Sequence, residues 1–356
     1  MMLNFPQAFI RRFLYREGAK TRPLMKDNTF LLWEPCSMNH AEVVPGFTQY
    51  LLDLGYSVSV LVTPEQIDGG LFSLFGENKR VYLNRMSGKN VRKFLLKNGL
   101  AEAKGILIST LTRKIRIKDI PLAEGRKILC VSHDVGKDAA VIDEKTVTMR
   151  RVDYGGLKTT VVNPHYFGEV ELPAKNEIVN FISVGALREK RRNAALVVEA
   201  ARKLYRTGMR DFRITVIGKG SLRDLPKELR PFFRITGRLE FRDMYNELQR
   251  ADFFLPLLDP LNPEHDRYIT TGTSGSFQLI YGFLKPPVIA SRFATINGFD
   301  GNNGIIYESN ADLASAMEKA VGMTDGEYDE TRKNLKRYTE SLYRESLENL
   351  RRLIEA

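Results

Sequence analysis

Two groups of residues in this 356-residue sequence have types and spacings suited to chemistry. The first is built from glycines, hydroxyls and cations. Gly185, Gly218, Gly220 and Gly237 stand at the ends of apolar, strand-like runs, and a basic cluster of Arg188, Lys190, Arg191 and Arg192 follows the first of them. Further on, Thr270-Thr271-Gly272-Thr273-Ser274-Gly275-Ser276 precedes an apolar helical stretch. Backbone N–H groups at the start of a helix, with the positive end of its dipole, hold a diphosphate without a metal ion. The same letters also read as an ordinary loop with a serine N-cap and a solvated basic helix start.

The second group is histidine-based. His40 lies in a loop with Glu34, Asn39 and Glu42 after the run 30–33, and His133-Asp134 directly follows the run 128–132. Parallel α/β sheets place ligands at the C-terminal ends of their strands. An imidazole there takes a proton from a substrate hydroxyl or hydrogen-bonds to it, and Asp134 beside it serves as base or electrostatic partner. A structural hydrogen bond is the competing role. His165 and His265 have no companions and read as loop residues. No metal-ligand spacing is present: Glu264-His265-Asp266 lacks further ligands, and no Asp-x-Asp follows a strand. Gly218-Lys219-Gly220 is not a dinucleotide fingerprint, because Arg223 stands where the third glycine must let helix and strand approach.

The elements that must position these groups are short runs rich in Val, Ile, Leu and Phe: residues 30–33, 58–62, 106–109, 128–132, 160–162, 179–184, 213–217, 233–236, 253–257, 288–291 and 305–307. Most are continuously apolar, as strands covered by helices on both faces are. Amphipathic stretches such as 194–205, 241–249 and 312–321 lie between them. The alternation predicts an α/β protein with parallel sheets. Pro164, Gly168 and Pro173 mark a linker before a new strand-helix series at Ile178. The expected domains are residues 1–170 and 176–326. Residues 327–356 are expected to form a charged helix across both, with Leu335, Tyr338, Leu342, Leu350 and Leu353 near helical spacing.

The order of motifs in the second half resembles the nucleotide-sugar-binding domain of GT-B glycosyltransferases, particularly those similar to family 4. Residues 178–321 carry the resemblance: Gly185 and Arg188 after a first strand, Lys190 or Arg191 just beyond, Gly218 and Gly220 after the next, Gly237-Arg238 after the third. A Gly272-Thr273-Ser274-Gly275 loop, a helix and Pro287-Val288-Ile289 complete it. The resemblance implies two Rossmann-like domains facing each other across a cleft, the second holding a UDP- or GDP-sugar and the first a saccharide acceptor. It makes Gly185, Arg188, Lys190, Arg191, Gly218, Gly220, Arg238, Gly272, Thr273, Ser274, Gly275 and Gln278 the donor-binding set. His40, His133 and Asp134 become catalytic candidates, with no metal and no cofactor beyond the nucleotide sugar. The family's paired glutamates are replaced: Gly272 and Ile280 occupy their places, and Gln278 is the nearest polar substitute. The implied activity is transfer of a sugar to a hydroxyl in cell-surface polysaccharide assembly. A nucleotide-sugar epimerase of the same fold and a non-catalytic sugar-nucleotide-binding subunit are the alternatives.

Charge adds a partner. Lys and Arg number 54 against 43 Asp and Glu, a net +11, and residues 79–127 alone carry fourteen basic and three acidic residues. At the N-terminus Phe5, Phe9, Ile10, Phe13 and Leu14 recur at helical spacing among Arg11, Arg12, Arg16, Lys20 and Arg22. An amphipathic basic helix of this kind docks on anionic lipid, or packs on its own domain with a solvated face. The expectation is a cytoplasmic protein at the inner face of the cell membrane, with a lipid-linked acceptor. No RNA- or DNA-binding pattern supports a nucleic-acid partner. Two cysteines, Cys36 and Cys130, make no disulfide framework and suit a reducing compartment.

Overall fold

The computed structural model describes residues 14–16, 23, 28–35, 40–98, 100, 102–112, 120, 125–187, 191–222 and 225–356. The chain divides into two compact units, one of Met1–Glu169 with Tyr343–Ala356, the other of Val170–Leu342.

The first unit is an eight-stranded sheet of β1 (Leu14–Arg16), β2 (Thr29–Trp33), β3 (Ser57–Val62), β4 (Val81–Arg85), β5 (Gly105–Ile108), β6 (Lys127–Ser132), β7 (Thr146–Thr148) and β8 (Thr160–Val161). Its order is β1-β4-β3-β2-β5-β6-β7-β8 and every pair is parallel. Strands β2 to β7 therefore run 3-2-1-4-5-6, the doubly wound arrangement in which connections leave in opposite directions from β2 and β5. Helices α1 (Val44–Asp53), α2 (Pro64–Asp68), α3 (Gly88–Asn98) and α4 (Val135–Asp138) make crossovers. Helix α3 shows how the sequence divides its faces. Val91, Phe94 and Leu95 are buried in a cluster with Leu31, Trp33, Leu61, Ile106 and Ile108, while Lys89, Arg92, Lys93 and Lys97 stay exposed. Each side chain of that size, fully buried, contributes about 1.5–3 kcal/mol.

The N-terminal reading needs correction. Leu14–Arg16 is a strand beside β4, with Leu14 opposite Tyr82 and Arg16 opposite Asn84. The free edge of β4 offers three residues the backbone partners that a helix would otherwise supply. The rest of the basic N-terminal segment expected as a helix lies outside the described residues.

In the second unit β9 (Val179–Val184), β10 (Phe212–Ile217), β11 (Phe233–Gly237) and β12 (Phe253–Phe254) form a parallel sheet in the order β11-β10-β9-β12. A parallel bridge from Phe254 to Pro287 leads on to the pair β13 (Val288–Ala290) and β14 (Ile305–Tyr307). This again is 3-2-1-4-5-6. Helices α5 (Ala194–Arg206), α6 (Phe241–Arg250), α7 (Arg267–Thr270), α8 (Gly275–Phe283), α9 (Ser291–Ala294) and α10 (Leu313–Gly322) connect the strands. At the end of α6, the buried Lys285 ammonium donates to the Gln249 carbonyl (2.9 Å), a cation where the helix leaves its carbonyls unpaired.

The last helix, α11 (Asp325–Glu355), begins in the second unit, and its residues from Tyr343 belong to the first. There the Tyr343 hydroxyl donates to Asp53 (2.6 Å), the Ser346 hydroxyl accepts from the Asn163 N–H (3.0 Å) and the Asn349 amide donates to the Val161 carbonyl (2.9 Å). Ser346 and Leu350 are fully buried. Among the described residues no helix is long and apolar enough to cross a membrane.

Candidate active site

In the second unit the turns after β9, β10 and β11 are laced together by backbone. The Gly185 N–H donates to the Ile217 carbonyl (2.8 Å), Leu187 to Lys219 (2.9 Å) and Gly218 to Gly237 (2.8 Å). Gly218 has φ +154, and a Cβ there would lie 1.9 Å from the Gly185 carbonyl oxygen. At Gly185, φ +140, a Cβ would meet the Arg192 guanidinium at 3.1–3.3 Å. Only a residue without a Cβ at 218 lets the turns after β9 and β10 approach this closely.

Arg192 is the center of this edge. It is buried, yet its Nη2 donates to the hydroxyls of Ser274 (2.9 Å) and Ser276 (2.5 Å), and its Nη1 to the Arg191 carbonyl (2.5 Å). Its Nε–H is buried without an acceptor among the described residues. Ser274 is the N-cap of α8, its hydroxyl accepting from the Ser276 N–H (3.4 Å), and the Ser276 hydroxyl faces the Val184 carbonyl (3.4 Å) at the end of β9. The arginine thus ties a strand's C-terminal end to a helix's positive end. Burial pushes the Arg192 pKa down from its ordinary value. Positive potential extends beyond it: burial raises the Tyr268 phenol, but Arg192, Arg191 and Arg267 more than offset that and hold it below its ordinary value. The Arg191 guanidinium donates to that phenol oxygen (3.4 Å). Fixed cations at the positive end of a helix are a binding place for an anion.

Of the residues singled out from sequence here, Gly185, Gly218 and Gly220 follow β9 and β10, and Arg238, exposed, follows β11. Gly272 is buried, its N–H on the Arg267 carbonyl (2.6 Å), Thr273 is half-buried, and Gly275 opens α8. Gln278, one turn into α8, is fully buried, and neither end of its amide has a hydrogen-bond partner among the described residues. Arg188 and Lys190 lie outside the described residues. Arg192 belongs to the basic cluster seen in the sequence but not to the donor-binding set that the resemblance implies. A run of cations reads as a solvated face, and the one contrary signal is the pair of serines two apart at a helix start.

In the first unit, the C-terminal ends of β2, β5 and β6 bring together Glu34, Ser109, Thr110 and His133. The hydroxyls of Ser109 (2.6 Å) and Thr110 (2.8 Å) both donate to Glu34 Oε2. His133 Nε2 lies 2.9 Å from the Ser109 carbonyl and 3.3 Å from the Thr110 hydroxyl. His40, half-buried ahead of the 3-10 turn Ala41–Val43, places its Nδ1 3.1 Å from His133 Nδ1, the rings edge to face with centroids 4.5 Å apart. Burial, with His40 adding to it, pushes the His133 pKa down to about 3. Burial, with the Glu34 charge adding to it, lifts the nearby Glu42 carboxyl to about 8. Asp134 is the N-cap of α4 by position and pairs with Lys137 (3.4 Å). Asn39 lies outside the described residues. Ser109 and Thr110 escaped sequence reading because they look like the polar fringe of a strand. His165 and His265 are both buried: His265 Nδ1 accepts from the Asp259 N–H (2.8 Å), and His165 Nδ1 lies 3.0 Å from the Asn163 carbonyl. Among the described residues no three His, Cys, Asp or Glu side chains group so as to hold a metal ion.

The chain has the GT-B fold of two Rossmann-like units, a fold that solved glycosyltransferase structures share. The solved structure of AviGT4, a glycosyltransferase involved in avilamycin A biosynthesis, matches with a TM-score of 0.53 at 14% identity, over 92% of this chain and 98% of that one. The sucrose-phosphate synthase of Thermosynechococcus elongatus matches at 0.52 and 9% identity over 92% and 98%. The kitacinnamycin glycotransferase matches at 0.51 and 12% identity over 93% and 100%. At such identities the shared property is the fold. No protein-family model and no curated protein matches the sequence.

Proposed function

We propose that the chain transfers a sugar from a nucleoside-diphosphate donor, bound at the C-terminal edge of the second unit, to a hydroxyl of a saccharide bound by the first. The observation that carries this is Arg192, held on Ser274 and Ser276 at the positive end of α8 beside the Cβ-free turn of Gly185 and Gly218. The leaving diphosphate gains charge as the glycosidic bond breaks, and a fixed guanidinium with oriented N–H groups stabilises that charge without reorganising. In this reading the arginine and α8 do the work that a divalent ion does elsewhere. His40 and His133 serve the acceptor hydroxyl.

The test is thermal unfolding of the chain with UDP, GDP and UDP-glucose, in the presence of EDTA. Binding to the native state raises the midpoint in proportion to the logarithm of concentration over Kd. A shift that grows with nucleotide and is lost in Arg192→Met, while ATP and NAD leave the midpoint unmoved, supports the reading. No shift with any nucleoside diphosphate at millimolar concentration removes it.

The acceptor in this proposal is lipid-linked, and the protein works at the cytoplasmic face of an anionic membrane. Support comes from the exposed face of α3, where Lys89, Arg92, Lys93 and Lys97 surround Leu96, 53% exposed. Cations over an anionic leaflet gain about 1 kcal/mol each within a Debye length. Sedimentation with phosphatidylglycerol vesicles at low salt, abolished by Lys93→Glu with Lys97→Glu, is expected. Equal binding to phosphatidylcholine vesicles, or none to either, overturns this part alone.

A further inference from the structure

We propose that the buried chain Glu34–Thr110–His133–His40 fixes the proton positions of both imidazoles, so that His40 Nε2 takes the acceptor's proton while His133 and Glu34 act as positioning residues. The identity of the substrate hydroxyl rests on the glycosyl-transfer reading. The proton order rests on the geometry alone.

That order follows from what each atom can do. A carbonyl oxygen only accepts, and the Ser109 carbonyl is 2.9 Å from His133 Nε2, so Nε2 carries the hydrogen. The Thr110 hydroxyl spends its hydrogen on Glu34 (2.8 Å) and turns a lone pair toward that same Nε2–H (3.3 Å). A neutral imidazole has one N–H, so His133 Nδ1 must accept. The group facing it at 3.1 Å is His40 Nδ1, which therefore donates. His40 then has its hydrogen on Nδ1 and its lone pair on Nε2. The hydrogens on His40 Nδ1 and on the Thr110 hydroxyl point along the chain toward Glu34, and the one on His133 Nε2 is shared between the Ser109 carbonyl and the Thr110 hydroxyl. Protonating His133 on Nδ1 would set two N–H groups against each other, and burial opposes it as well.

The step balances as follows. His40 Nε2 uses its lone pair to take the proton of the acceptor hydroxyl. The oxygen's freed pair forms the bond to the anomeric carbon, and the bond from that carbon to the diphosphate oxygen breaks with its electrons leaving on the diphosphate. The new imidazolium keeps its Nδ1–H on His133, so its charge is stabilised through oriented hydrogen bonds ending on Glu34, and no proton moves along the chain. Base and orienter stand in the relation found in other activated-hydroxyl sites, with an imidazole as the orienting group. His40 returns the proton to water once the product leaves.

Long-range proton–nitrogen NMR of the ring nitrogens tests the order directly, in the native chain and in His133→Phe, with circular dichroism confirming that the variant folds. Expected are a neutral Nε2–H ring for His133 and an Nδ1–H ring for His40, the reverse of the form histidine favours in water. In His133→Phe, His40 reverts to Nε2–H. Native His40 carrying its hydrogen on Nε2, or a His40 tautomer unchanged in the folded variant, overturns the proposal. Transfer assays with a panel of UDP- and GDP-sugars test the role: His40→Gln is expected to lower kcat by about 100-fold or more, and Thr110→Val by about 10-fold with KM unchanged, within the range of general-base effects. Full activity in His40→Gln removes the base role. The stated tautomers in a chain that turns over no nucleotide sugar would sink the glycosyl-transfer reading and leave the proton order standing.

Discussion

An alanine at position 218 would bring its Cβ to 1.9 Å from the Gly185 carbonyl oxygen and 2.5 Å from its carbonyl carbon, at a backbone φ of +154. Holding a side-chain residue in such a conformation costs about 1–3 kcal/mol. The closest approach a Cβ ordinarily makes is 3.0 Å, so the Gly185 turn must also retreat by about 1 Å. That movement breaks the 2.8 Å bonds from Gly185 to Ile217 and from Gly218 to Gly237. Two backbone hydrogen bonds are worth about 1 kcal/mol each, which brings the total to about 3–5 kcal/mol. Gly237 is the control: its φ is +70, but nothing lies within 4 Å of a Cβ there. Gly237→Ala should therefore cost only about 1–2 kcal/mol, the strain of a left-handed residue. Native-state hydrogen exchange at the amides of β9 and β10 reads the second unit directly, whereas the single tryptophan, Trp33, reports on the first. The two variants should differ by about 1–4 kcal/mol, and only Gly218→Ala should lose the UDP-induced thermal shift. If they protect these amides equally, or Gly218→Ala still responds to UDP, the close approach of the strand ends does not build the ligand edge.

Two pH experiments examine other buried groups. Glu42 holds its proton to about pH 8 in the fold against 4.5 when free, so its contribution is full below about 4.5 and is lost as pH rises through about 8. The native thermal midpoint should fall more steeply between pH 5 and 9 than that of Glu42→Gln; parallel profiles would show that the carboxyl is not held protonated. Burial lowers the Lys285 pKa from 10.5 to about 8, with Asp252 opposing it, so the unfolded chain binds the extra proton between those values. Stability relative to Lys285→Met should then rise from about pH 8 to 10.5, and a flat difference curve refutes this.

Sequence periodicity conveyed the architecture where burial is expressed in apolar letters. The runs that became β2, β3, β9 and β10 are mostly apolar and rich in Val, Ile, Leu and Phe. Strand β4 was missed because its apolar run, Val81-Tyr82-Leu83, is only three residues long before Asn84 and Arg85. The Asn84 side chain is buried and gives its amide hydrogens to Ser59, Val60 and Tyr82, a satisfaction that depends on strands distant in sequence. Strand β7, of Thr146, Val147 and Thr148, buries its threonines because their hydroxyls are paired, Thr146 with Asp143 and Thr148 with Thr159. The site followed the same division. Glycines at strand ends and the serine-capped helix are local signals. The meeting of His40 with His133, and of Arg192 with two serines more than eighty residues away, depends on strand order and has no trace in the spacing of letters.

Residues Tyr343–Ala356 emerge from the ribosome only after the whole second unit has been made, yet they complete the first. Until Ser346 reaches the Asn163 N–H and Leu350 enters its site, the earliest-synthesised sheet stands with an uncovered flank. During synthesis the later unit can close first while the earlier one waits for the closing helix, a reversal of the usual N-to-C order.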